Sequence, residues 1–181
     1  MKRLLCATLA AAFFALSAPV DSSAQGTVFL GGGVTIPVSD YGELANTGWQ
    51  GWGGVLVPVS DAGISLGFEG FYGNNNHETD GNKTKLLGSL ALVGMEWGDP
   101  EGLQPGVFGG LGFMRRSFKS ESTPVLDNTS TSFAWGGGAG VGYPVGGVNG
   151  FLGASYTSGT GDDNFATRWI TFGVSVMVPI G

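Results

Sequence analysis

The sequence holds one cysteine, Cys6, one histidine, His77, and no run of Lys or Arg anywhere in its 181 residues. A lone cysteine closes no disulfide within the chain, so the fold must stand without cross-links and without paired thiol chemistry. Basic side chains number 8 against 14 acidic ones, a net charge of −6, and nucleic acid therefore finds no electrostatic footprint. Charged residues make up only 12 % of the chain, too few for a disordered acidic tail or a solvated helical bundle. Apolar runs are short as well: the longest, over residues 4–18, falls below the ~20 residues that a spanning helix needs. What the chain has instead is glycine, 35 residues of it, without a Gly-X-Y period and mixed with Trp, Phe and Val, which excludes collagen.

The first two dozen residues read as an export address. Lys2 and Arg3 give a positive start, residues 4–18 an apolar core, Pro19 a break, and Ser22, Ser23 and Ala24 a small-residue exit before Gln25. That order is a secretory signal peptide cleaved near Ala24. Its removal leaves 157 residues (181 less 24) with 6 basic and 13 acidic side chains, net −7, and raises glycine to about 22 %. Cys6 leaves with it. Because it precedes most of the apolar core, it does not read as a lipoprotein cysteine.

The remaining chain, 25–181, reads as one domain. Glycine every few residues disfavours long helices, each interior Gly costing ~1 kcal/mol relative to Ala. The recurring period is two, that of strands with one apolar face. Ile170, Phe172, Val174, Val176 and Val178 alternate with Thr171, Gly173, Ser175 and Met177. Phe133, Trp135, Ala139, Val141 and Tyr143 alternate in the same way with Ser132, Ala134 and a run of glycines. The template predicts eight strands, over 27–37, 48–58, 63–73, 84–97, 106–118, 132–143, 148–158 and 168–179. Long polar connections (39–47, 73–83, 119–131, 159–167) alternate with short ones (60–62, 99–104, 144–147). An antiparallel up-and-down sheet produces this rhythm, and closing it into a barrel removes both exposed edges.

The apolar face must then point outward. Stacked Gly, Ser and Thr do not make a dry core worth ~25 cal/mol per Å² of burial. They do suit the narrow inside of a transmembrane barrel whose large side chains meet lipid. Aromatic positions agree with two interfacial bands. Trp49, Tyr72, Phe133, Trp135, Tyr156 and Trp169 fall near strand ends beside the long connections, while Trp97, Phe108 and Tyr143 fall beside the short ones. Parity on strand 84–97 is ambiguous, with leucines on both faces, and suggests a bulge.

With its leader, eight strands and closing segment 168–179, the mature chain resembles the small eight-stranded outer-membrane β-barrels, the OmpA/OmpX-like and opacity-protein-like class of Gram-negative bacteria. The resemblance implies termini in the periplasm, four long loops outside, insertion by the barrel-assembly machinery, and outer-membrane lipid and lipopolysaccharide as partners. Members of that class usually end in an aromatic residue. This chain ends Val178-Pro179-Ile180-Gly181, so either a degenerate signal is tolerated or Phe172 serves internally.

Charges inside strands are the first candidates for chemistry. Glu69 and Arg116 share parity with inward residues, and Glu96 lies near a strand end. The pattern predicts that Glu69, with Glu96 as a second candidate, pairs with Arg116 inside the barrel, with Gln50 and Asn149 nearby, as a structural polar filling. His77 in its Asn-rich loop, with Glu78 beside it, lacks a matching serine at a rim and reads as a solvated histidine. Asp40, Glu43, Glu78, Asp80, Glu121, Asp127, Asp162 and Asp163 make the long loops acidic; the stretch 159–164 is the best local match to a Ca²⁺ loop, but a lone Gly-Asp stretch is unspecific and loops at a cell surface are acidic for solubility. Arg115, Arg116 and Lys119 near the outer rim suit lipopolysaccharide phosphates. The sequence calls for no cofactor, metal or catalytic residue, and points to a non-enzymatic barrel with a structural or surface-interaction role carried by its loops. The rivals are a lipid A-modifying barrel enzyme and a soluble periplasmic barrel holding a small apolar ligand.

Overall fold

The computed structural model describes residues 26–78, 81–120, 128–160 and 166–180. Eight strands form one closed barrel in chain order: β1 Gly26–Val38, β2 Gly48–Pro58, β3 Ile64–Asn76, β4 Asn82–Glu96, β5 Gln104–Ser120, β6 Asn128–Val145, β7 Val148–Thr160 and β8 Ala166–Ile180. Each strand pairs antiparallel with the next, and β8 closes on β1 from Gly26↔Ile180 to Val38↔Arg168. No strand edge is left for another chain to pair with.

The alternation read from the sequence places the large aliphatic side chains outside. Leu30 is 72 % exposed and Leu152 66 %, with Leu111, Phe172, Val174 and Val176 on the same surface. A soluble barrel would bury this surface, so the apolar-ligand rival with inward-facing bulk does not describe the molecule. The strands outrun their predicted ends at the long-loop end, where β5 and β6 stay paired out to Phe118↔Asn128. The hydrophobic alternation stops at the lipid boundary, but backbone pairing does not, and β-branched Thr129 and Thr131 keep the ladder extended. At the other end β6 and β7 are joined by Gly146 and Gly147 alone, both at positive φ (59° and 90°), the turn chemistry of a two-residue hairpin.

Two expectations about the inside are corrected. The interior is not only small and polar: Phe29, Phe71, Leu86, Leu90, Leu92, Met114, Trp169 and Met177 form one buried cluster, with Trp52, Leu56 and Phe151 against it. Glycine on the neighbouring strand makes room for these rings. A Cβ on Gly31 would lie 2.6 Å from the Trp52 indole, and one on Gly88 would lie 2.7 Å from Phe71 Cε1. Strand β4 also carries no bulge; its register with β3 and β5 runs unbroken from Met95 to Lys83. Its leucines occupy both faces because this part of the lumen is as apolar as the lipid side.

Candidate functional site

The lumen has two unlike halves. Toward the long loops it is filled. Trp169, 0 % exposed, donates its indole N–H to Gln50 Oε1 at 2.9 Å and packs edge-on against Phe71 at 6.0 Å between ring centres. Above this layer Asn75 Nδ2 donates to Thr35 Oγ1 at 2.9 Å and to the Asn46 carbonyl at 3.0 Å. Arg116 donates to Thr167 Oγ1 at 3.1 Å. A 3-10 turn, Ser39–Tyr41, folds in and buries Tyr41, whose phenol is pushed up by that burial against smaller opposing effects of Thr84 and Arg116. His77 sets its Nε2 2.7 Å from Thr84 Oγ1 and its ring 5.1 Å from Phe118. An isolated bridge, Ala45↔His77, ties the first long connection to the second. Burial holds the imidazole below its ordinary pKa.

Toward the short turns the lumen is hollow. A cavity of about 140 Å³ extends from below the Trp169–Gln50 layer to the barrel end, where Gly63 and Glu96 line it. Glu69 lines it at mid-height.

The predicted Glu69–Arg116 network does not form. Glu69 sits across from Leu90, whereas Arg116 sits across from Leu86, four residues or about 13 Å along the strand. Glu96 faces Gly106, ten residues from Arg116 and so about 33 Å away. Glu69 and Arg116 belong to the inner face as their parity predicts, and Glu96, on the strand of ambiguous parity, joins them there, but parity carries no height. Gln50 and Asn149 are likewise separate: Gln50 anchors Trp169, while Asn149 Nδ2 reaches Gln104 Oε1 at 3.5 Å near the turn end.

Of the expected aromatic bands, Trp49, Tyr72, Phe133, Trp135, Trp97 and Tyr143 are exposed on the outside. Trp49 packs against Tyr72 with ring centres 5.6 Å apart, and Trp135 against Tyr156 at 5.4 Å, both pairs tilted. Trp169 is the exception. It shares parity with Thr171, Gly173 and Ser175 and therefore points inward; its nearness to a strand end was the weaker guide. Phe108 also points inward, to the cavity wall.

Outside, at the long-loop end and level with Trp49 and Tyr72, Lys83 is the register partner of Lys119, Lys85 of Ser117, and Leu87 of Arg115. Lys83, Lys85, Arg115 and Lys119 share the outward parity of the exposed Leu87, so four cations form one ladder on β4 and β5. The expected loop acids Asp80, Glu121, Asp127, Asp162 and Asp163, and the leader 1–24, lie outside the described residues. Among the described residues no group of three or more His, Cys, Asp or Glu could hold a metal.

The sequence pattern of the outer membrane protein beta-barrel domain matches residues 6–177. The chain belongs to that family. Its place is accordingly the outer membrane, and its apolar surface is the lipid-facing one. Among solved structures, Neisserial surface protein A superposes with a TM-score of 0.65 at 19 % identity, covering 84 % of this chain and 96 % of that one. A major outer membrane protein of Thermus thermophilus gives 0.56 at 10 % identity, over 87 % and 100 %. The N-terminal barrel of Pseudomonas aeruginosa OprF gives 0.53 at 17 %, over 86 % and 99 %. At such identities the likeness is one of fold. No curated protein matches the sequence.

Proposed function

We propose that this outer-membrane barrel is non-enzymatic and acts at its outer rim, where it engages the phosphates of lipopolysaccharide and presents its long loops at the cell surface. In this reading the chain is exported by a leader cleaved near Ala24, inserted by the barrel-assembly machinery, and oriented with the long connections outward and the termini in the periplasm. One observation carries it: the outward ladder of Lys83, Lys85, Arg115 and Lys119 stands at the long-loop end of the outer face, starting one outward position beyond Phe113 and level with Trp49 and Tyr72, on a chain that is otherwise acidic. Charge-assisted bonds from Arg and Lys to phosphate are the strong kind, and a half-dry interface strengthens them further. The filled outer lumen favours a rim function over passage of solutes. His77 and Thr84 do bring a base to a hydroxyl, which is the geometry the enzyme reading lacked in the sequence. Thr84 is only 2 % exposed and faces inward, however, so that pair better supports packing than attack on a lipid ester.

The test is urea unfolding in vesicles with and without lipopolysaccharide. Lipopolysaccharide should raise the unfolding midpoint of the wild type, and Lys85→Gln with Arg115→Gln should remove most of that gain. An equal gain in the double variant would overturn the rim reading.

A further inference from the structure

We propose that the hollow half of the lumen is a binding site for a small organic cation, an ammonium group carried on an apolar or aromatic body. The cavity of about 140 Å³ is walled by Phe29, Trp52, Phe108 and Phe151, with Glu69 at mid-height and Glu96 at its mouth. Four aromatic rings and two carboxylates around one space are complementary to an organic cation: aromatic rings attract positive charge, the more so where water is thin, and a carboxylate supplies the counter-charge. An apolar ligand would leave the carboxylates unmet, and an anion would be repelled by them.

The protein does not satisfy these groups itself. No hydrogen bond or ion pair from another described residue reaches the carboxylate of Glu69 or Glu96, and the nearest inward cation, Arg116, is held in the filled half by Thr167. Thr171 lines the same cavity at 3 % exposure, and its hydroxyl has no partner. Carboxylates and a buried hydroxyl left unpartnered in an apolar wall are costly unless something else meets them.

The size of the space sets the size of the ligand. An engineered apolar cavity of about 150 Å³ admits benzene, so a body of one ring or a short branched chain fits. The indole N–H of Trp52 is fixed to Ser175 Oγ at 3.0 Å, which holds that ring as a rigid wall. Entry is from the turn end, since the Trp169 layer closes the other side. The site is separate from the rim ladder and owes nothing to the proposed orientation, because a detergent-folded barrel exposes both ends.

Benzylammonium, benzyl alcohol and benzoate, nearly equal in size and differing in charge, are the probes. Each is titrated into the full-length mature chain folded in a neutral detergent and followed by calorimetry and by tryptophan fluorescence. Benzylammonium should saturate and bind at least 10-fold more tightly than benzyl alcohol, with benzoate weakest. Glu69→Gln should erase most of the preference for the cation, while Leu152→Ala, on the outer face of the barrel, should keep it. If Glu69→Gln does not fold, Thr171→Val and the order of the three probes on the wild type still decide the matter. Equal binding of benzylammonium and benzyl alcohol would make the cavity merely apolar, and no saturation by any probe would make it a water pocket; either result overturns the proposal.

Discussion

Trp169 shows how a single side chain sets the structure of the lumen. Its indole fills the section where the barrel changes from packed to hollow, and its one polar atom meets Gln50, itself buried. A buried acceptor that loses its donor costs about 1–3 kcal/mol, more than a net hydrogen bond contributes. Trp169→Phe removes the donor, leaves Gln50 Oε1 unmet, and trims the edge contact with Phe71. We expect it to lower unfolding free energy by about 2 kcal/mol in a urea titration of the refolded barrel, while Trp169→Phe with Gln50→Leu recovers part of the loss. A double variant no better than the single one would show that packing, not the hydrogen bond, dominates.

At the scale of the strand the governing quantity is which face a residue occupies. On β8, Val174 points to lipid and Ser175 to the lumen, where it holds Trp52. A cation at the midplane of the lipid face costs about 2–4 kcal/mol, falling toward zero at the interfaces. Val174→Arg should therefore destabilise the folded barrel by about that amount, while the same change at Val178, near the barrel end, should cost much less. Folding yield into vesicles and the urea midpoint read both. The period-two pattern made this face assignment, the strand count and the loop rhythm legible in the sequence, since each depends only on neighbours along the chain. Height around the barrel depends on register between strands, which the sequence pattern does not carry. That is why Glu69 and Arg116 both turn inward as expected yet do not meet, and why nothing in the sequence sets Thr84 beside His77. Trp169 is legible from its parity with Thr171 and Ser175, and its place at a strand end misleads because parity outranks it. The mixed lumen is hidden for another reason: leucines fall on both faces of β4, so Leu90 and Leu92 look as suited to lipid as their neighbours, and only the seat that Gly110 leaves on the facing strand reveals that large side chains fit inside.

The whole molecule is a cup, closed at the long-loop end and hollow at the turn end. The closure draws on three features where the first long connection folds over the end of β3: the 3-10 turn that buries Tyr41, the Asn75 bonds to Thr35 and Asn46, and the Ala45↔His77 bridge. His77 is the titratable joint among them, lying in the loop beyond the lipid. Burial lowers its pKa from the ordinary 6.5, so the folded barrel resists a proton that the unfolded chain accepts. As pH falls below about 6.5 the unfolded state binds more protons than the folded one, and stability drops; above that pH both states are neutral at this site and the effect is gone. Wild type should therefore unfold at a lower urea concentration near pH ~5.5 than near pH ~8, and His77→Gln should show a smaller difference between the two. The comparison subtracts the carboxylates, which titrate in both proteins. Equal pH differences would mean that the folded barrel lets His77 take up its proton as freely as the unfolded chain does, so that the cap over the lumen is loose enough to admit water. A smaller difference in His77→Gln would instead place the seal on the barrel at this loop, and with it the boundary between a rim that meets the outside and a cavity that opens the other way.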